Sequence, residues 1–160
     1  MQAPHISPAV AIDTPVEDER HHERLPAGSH RRTSCHRFEI AAAFAVHDRI
    51  GILVIREACA GNLEAANRRL EFLAGMPSLN INEEVMILAI ALLDARALPQ
   101  QAVDDAYHIA LAAVHGIDYL LTWNCKHIAN ATMWSRIDGI CRAQDHEPPA
   151  IATPEQLQEE

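Results

Sequence analysis

The stretch Val103–Ala131, VDDAYHIALAAVHGIDYLLTWNCKHIANA, decides the fold. Val103, Ala106, Ala110, Ala113 and Val114 fall on or near one helical face, with Tyr107 and Leu111 beside it, so the spacing predicts an amphipathic helix. Asp104 and Asp105 sit in its first turn, where the helix dipole favours acids. Gly116 stops it. Ile117–Thr122 then reads as a strand whose Tyr-Leu-Leu centre lacks apolar–polar alternation. A strand covered on both faces looks like this, as in a parallel sheet. The polar loop WNCKHIANA follows, and loops beyond the carboxyl ends of buried parallel strands are where α/β folds place their sites.

The flanking segments continue the alternation. Downstream, Thr132–Arg142 fits a helix, Pro148-Pro149 leads to a short strand at Ala150–Ala152, and a solvated tail carries Glu155, Glu159 and Glu160. Upstream, Asn82 caps a helix with Glu83 and Glu84 in its first turn and Val85, Leu88, Ala91, Leu92 and Ala95 on its buried face, and Pro99 breaks it. Ser78–Ile81 is a short strand candidate. Gly61 and Asn62 stop one element and cap the next, in which Leu63, Ala66, Leu70 and Leu73 line one face. The run Ile50-Gly51-Ile52-Leu53-Val54-Ile55 fits a strand or the start of a buried helix equally well. Ile40, Ala43, Phe44 and His47 have helical spacing, and Ala9–Asp13 is a short strand candidate. This order predicts an α/β protein, a three-layer α/β/α sandwich around a short, mostly parallel central sheet.

Residues 1–37 are expected to stand apart from a domain over residues 38–157. Glu17–Arg37, EDERHHERLPAGSHRRTSCHR, has almost no apolar periodicity and cannot offset its ordering entropy by burial, so a loop or disorder is expected. Its histidines, His21, His22, His30 and His36, read as part of a solvated stretch rather than a metal site.

The 160 residues suffice for one domain, and with 4% aromatics the core must be built from Leu, Ile, Val and Ala. No apolar run approaches the length of a membrane span, and the first residues lack a basic segment followed by an apolar one. A cytoplasmic protein is therefore expected. Cys35, Cys59, Cys125 and Cys141 are far apart and form no C-x-x-C pair, which predicts reduced, mostly buried thiols. The spacing of Cys125, His127 and Cys141 matches no standard zinc finger. No glycine-rich phosphate loop and no G-x-S-x-G is present, which removes nucleotide-binding, kinase-like and esterase readings. The net charge of −9 excludes long-range attraction to phosphates, so nucleic-acid chemistry would need a local basic edge, bound metal ions or a basic partner.

The segment DDAYHIALAAVHGIDYLLTWNCKHIANA closely resembles the C-terminal half of PIN-domain proteins, in particular the toxins of bacterial VapBC-type toxin–antitoxin pairs. IREACAGNLEAANRRLEFLAG resembles the family's middle segment, and AIATPEQL its end, so the resemblance covers roughly Leu53 to Leu157. It implies a small α/β/α sandwich and a metal-dependent ribonuclease with acidic residues clustered at the carboxyl edge of the sheet. By position, the acids are Asp13 in IDTP, Glu57 in IREA and Asp105 in DDAYHIA. The fourth position is Asn124, where many members carry Asp, with Thr122 making a polar contact beside it. The resemblance also implies that a helix begins near Leu53 and that Ile50-Gly51 ends a short strand or turn. A cognate antitoxin, an RNA substrate and homodimerisation are the implied partners.

Such a cluster suits a cation site because Mg²⁺ and Mn²⁺ are hard ions that take oxygen ligands. Bound between carboxylates and a phosphodiester, they neutralise charge and activate a water. Asp13, Glu57 and Asp105 are the expected ligands, and Glu57, Asp105 and Asn124 the expected catalytic residues. With Asn124 as a neutral donor or carbonyl ligand, the site carries one negative charge fewer, and weaker metal binding is expected. Asp104 reads as a helix-start acid, His108 as structural, and Trp123 as packing the loop; Arg56 or Lys126 could contact phosphate. Asp13 is followed by Pro15-Val16-Glu17-Asp18-Glu19-Arg20 instead of the family's apolar helix. That departure supports an alternative, a catalytically impaired PIN-like module that binds an antitoxin or RNA without cleaving.

Overall fold

The structure is a computed structural model and describes residues 8–10, 49–153 and 156. Asp13, the helical spacing from Ile40 to His47, the His/Arg stretch, Cys35 and the glutamates of the tail lie outside the described residues. The elements run β1 (Pro8–Val10), β2 (Arg49–Gly51), α1 (Ile52–Ala58), α2 (Leu63–Leu73), β3 (Ser78–Leu79), α3 (Glu83–Asp94), α4 (Val103–Val114), β4 (Tyr119–Leu121), α5 (Ala131–Ala143) and β5 (Ala150–Ala152). The protein is thus mixed α/β, with a short sheet in the order β3-β2-β1-β4-β5. Every pairing in it is parallel.

The register aligns Val10 with Ile50 on one side and with Leu121 on the other, and Leu121 with Ala152. The carboxyl ends of four strands therefore form one edge. The chain builds outward from β1 to β2 and β3, then returns to β1's other side for β4 and β5. A reversal of this kind leaves a crevice beyond the strand ends.

Local sequence explains the boundaries. The ambiguous run from Ile50 divides: Ile50-Gly51 ends β2, Ile52 opens α1, and Gly51 is extended at the junction. A methyl group on Gly51 would lie 3.4 Å from Leu111 of α4, so a small residue lets β2 and α4 approach. The Asn62 side chain accepts from the amides of Glu64 and Ala65, and Asn82 accepts from Val85, which caps α2 and α3 as expected. Gly116 turns the chain out of α4 at φ 64°, a left-handed conformation that glycine adopts without strain.

The core has two parts. Val85, Leu88, Leu92, Ile109, Ala110, Leu120, Ile128 and Ile137 belong to the larger cluster, which α3, α4 and α5 share with β4. Val54, Ala58, Leu73 and Leu121 form a smaller one with α1 and α2. Leu120 and Leu121 are neighbours on β4 yet join different clusters, because successive strand residues point to opposite faces.

Several expectations are corrected. Val103 is exposed, since it opens α4 and projects beyond the layer that covers Ala106 and Ala110. Leu63, the first residue of α2, is 75% exposed. On α3 the buried face is Val85, Leu88, Ala89 and Leu92; Ala95 caps the helix and is exposed. Cys59 and Cys125 are exposed rather than buried, because one ends α1 and the other lies in the loop after β4; Cys141, on α5, is buried. Burial pushes the Cys141 thiol up to about 11. The strand expected at Ala9–Asp13 begins at Pro8 and is described as far as Val10.

Candidate functional site

α4 runs back toward β4, so its amino end lies near the carboxyl edge of the sheet. Its first turn carries two acids and no side-chain cap. Asp104 faces outward and pairs with Arg56 of α1 at 2.8 Å, both side chains more than half exposed. That hydrogen bond and charge hold Arg56 firmly protonated. Asp105 turns inward and is only 7% exposed. A carboxylate withdrawn from water needs donors, and it has two. Asn124 Nδ2 donates to Oδ1 at 2.9 Å, and His127 Nδ1 lies 2.6 Å from Oδ2.

Both donors come from the loop after β4. Thr122 is fully buried where the strand ends, and its Oγ1 accepts from the Asn124 amide at 3.0 Å. Asn124 Oδ1 accepts the His127 amide at 3.0 Å, and the Asn124 carbonyl accepts the Ala129 amide at 2.8 Å. A backbone N–H can only donate, so the amide oxygen of Asn124 faces the loop and its NH₂ faces Asp105. Asn130 then caps α5 through Thr132.

Glu57 stands on α1, one element removed. Its Oε1 lies 2.8 Å from His108 Nε2, and the His108 side chain is buried. His108 is one turn beyond Asp105 on α4, so a single helix face joins the two carboxylates. A carboxylate accepts, so each imidazole presents an N–H to its partner. Trp123 packs against the smaller core cluster. Lys126 is exposed, and its carbonyl accepts from Asn130 Nδ2.

Glu57, Asp105, Asn124 and Thr122 are therefore brought to one region, and Asp13 lies outside the described residues. His127 is the residue that sequence reasoning passed over as a participant here. Its signal is the spacing from Asn124: an Asn side chain that takes the amide three residues on curls the loop and returns the imidazole toward α4.

Among the described residues, no group of three or more His, Cys, Asp or Glu side chains is placed to hold a metal ion. The carboxylates of Glu57 and Asp105 are oxygen donors of the kind that a hard divalent cation takes. An open cleft of about 380 Å³ between the α3–α4 connection and α5 is lined by Arg96, Gln100, Thr132 and Arg136. Arg136 reaches the Arg96 carbonyl at 2.8 Å, which puts two guanidinium-bearing residues side by side.

Comparison with protein-family models, with curated proteins and with solved structures returned no match to this chain.

Proposed function

We propose that this protein is a metal-dependent endoribonuclease of the PIN-domain toxin type that hydrolyses RNA phosphodiester bonds. The observation that carries the reading is the inward-facing Asp105 at the start of α4, held by the loop that leaves β4. A carboxylate so placed at the edge of a parallel sheet, beside the reversal in strand order, is where such a fold puts chemistry. The two core clusters are read as the two helical layers of a three-layer α/β/α sandwich.

Glu57 and Asp105, with Asp13, would hold the Mg²⁺ or Mn²⁺ ion. When bound, the ion supplies charge neutralisation at the phosphodiester and an activated water. His108 and His127 each keep a carboxylate in place, and Asn124 orients Asp105. Arg96 and Arg136 give an otherwise acidic protein a local basic edge for the phosphates of the strand. A cognate antitoxin or a second copy is proposed for the exposed apolar residues Met86, Ile87 and Ile90 of α3. No described helix is long and apolar enough to cross a membrane, and action in the cytoplasm is part of the proposal.

A second reading is a PIN-like module that binds an antitoxin or RNA without cleaving. Its support is that both carboxylates already sit against imidazoles and that no three-donor group forms among the described residues. Cleavage of a mixed RNA substrate with Mn²⁺, with Mg²⁺ and with EDTA separates the two. Metal-dependent cleavage abolished by Asp105→Asn supports the enzyme. Metal-independent cleavage, or cleavage unchanged by Asp105→Asn, would sink the proposed site. RNA binding without cleavage under every condition selects the module.

A further inference from the structure

The resemblance assigns no role to His127, yet this side chain makes the shortest contact to Asp105, 2.6 Å from Nδ1 to Oδ2. Asn124 takes the other oxygen at 2.9 Å, so Asp105 has one donor on each oxygen. The two donors are also tied to one another, because the His127 amide donates to Asn124 Oδ1. Asn124 is in turn anchored to Thr122 Oγ1 and to the Ala129 amide. The His127 side chain is 13% exposed and that of Asp105 10%, so water competes little for these bonds. We propose that His127 is a positioning residue: together with Asn124 it clamps the Asp105 carboxylate and sets the orientation in which that carboxylate meets a divalent cation.

The physical case is one of rotation. A free aspartate turns about its terminal torsion in a broad well. One donor leaves that rotation loose, whereas two donors on different oxygens, fixed to the same loop, remove it. The remaining lone pairs then have one direction, and the cation meets a ligand already oriented. Carboxylate ligands are commonly held in this way by groups that do not themselves touch the metal.

The inference rests on the cation-site reading above, and its test separates the two. The full-length protein, stripped with EDTA, is titrated with Mn²⁺ by calorimetry and by the electron paramagnetic resonance of the free ion. His127→Leu is expected to weaken Mn²⁺ binding by about tenfold to a hundredfold, the range found when such supporting groups are lost. His127→Asn, whose side-chain amide N–H can stand near the place of the imidazole Nδ1–H, is expected to recover most of that loss. Melting temperatures in EDTA show whether either variant has merely lost its fold; a purely structural role would lower both without separating their affinities. Undiminished Mn²⁺ binding by His127→Leu, or equal weakening in both variants, overturns the clamp and leaves the cation site standing. No Mn²⁺ binding by the parent protein overturns the cation site and the clamp with it.

Discussion

Replacing Asn124 by Asp changes one atom of the Asp105 network and tests what that network is for. The amide oxygen of Asn124, which accepts the His127 amide, is preserved by an Asp oxygen. The Nδ2 that donates to Asp105 Oδ1 at 2.9 Å becomes an oxygen, so a hydrogen bond turns into a contact between two carboxylates. With charge centres about 4 Å apart and an effective dielectric near 20, two like charges repel by about 4 kcal/mol. The lost hydrogen bond to a charged group adds about 1.5–3 kcal/mol. Rotation of the new side chain and exchange with solvent relieve part of both, so a net destabilisation of about 2–4 kcal/mol is expected in the absence of divalent ions. For a chain of this size that corresponds to a fall in Tm of roughly 5–15 °C. The assay is thermal unfolding followed by circular dichroism in EDTA and again in Mn²⁺ at matched ionic strength. A cation between the carboxylates removes the repulsion, so Mn²⁺ should raise the Tm of Asn124→Asp more than that of the parent. Asn124→Leu, which loses the bond without adding charge, should be destabilised in EDTA and gain no more from Mn²⁺ than the parent does. A Tm for Asn124→Asp in EDTA equal to the parent's, or a deficit that Mn²⁺ leaves untouched, would refute this account of the site.

Two further outcomes probe the fold. Leu92 is fully buried on α3 within the larger core cluster, so Leu92→Ala should cost about 2–5 kcal/mol in urea unfolding, the range for a buried leucine truncated to alanine; Met86→Ala, on the exposed side of α3, should leave the urea midpoint nearly unchanged. Burial raises the Cys141 thiol from its ordinary value of 9.0 to about 11. The folded state therefore keeps a proton that the unfolded state releases, and stability from this group is full below pH 9 and declines as the pH rises toward 11. Urea midpoints across that interval should fall less steeply in Cys141→Ala than in the parent, and native protein should expose Cys59 and Cys125 to a thiol reagent while Cys141 reacts only on unfolding.

The elements from Asn62 onward were legible because their signals are local. Asn62 and Asn82 cap the helices they precede, Gly116 ends α4, and the apolar Tyr-Leu-Leu run becomes β4. The run from Ile50 to Ile55 is ambiguous because so short an apolar run satisfies both periods; in the structure the pairing of Ile50 with Val10 and Ser78 places Ile50-Gly51 in β2, and the helix α1 begins at Ile52. Val103 and Leu63 misled for a related reason: periodicity names a helix face but not how far the covering layer extends along it.

The sequence by itself determined the parallel character of the sheet, the helix that begins with Asp104 and Asp105, and the polar loop beyond β4. These follow from the unbroken apolar run of β4, from the 3.6-residue helical period and from capping chemistry, which are written in near neighbours. Tertiary structure alone decided what the carboxylates meet. Glu57 and His108 are 51 residues apart, and Asp105 and His127 are 22 apart, with nothing local to link them. Their contacts arise because Arg56 and Glu57 of α1 reach Asp104 and His108 of α4 and because the Asn124 turn folds the loop back onto α4. A side chain withdrawn from water takes whichever donor the packing brings within reach, and that choice is made by the whole fold.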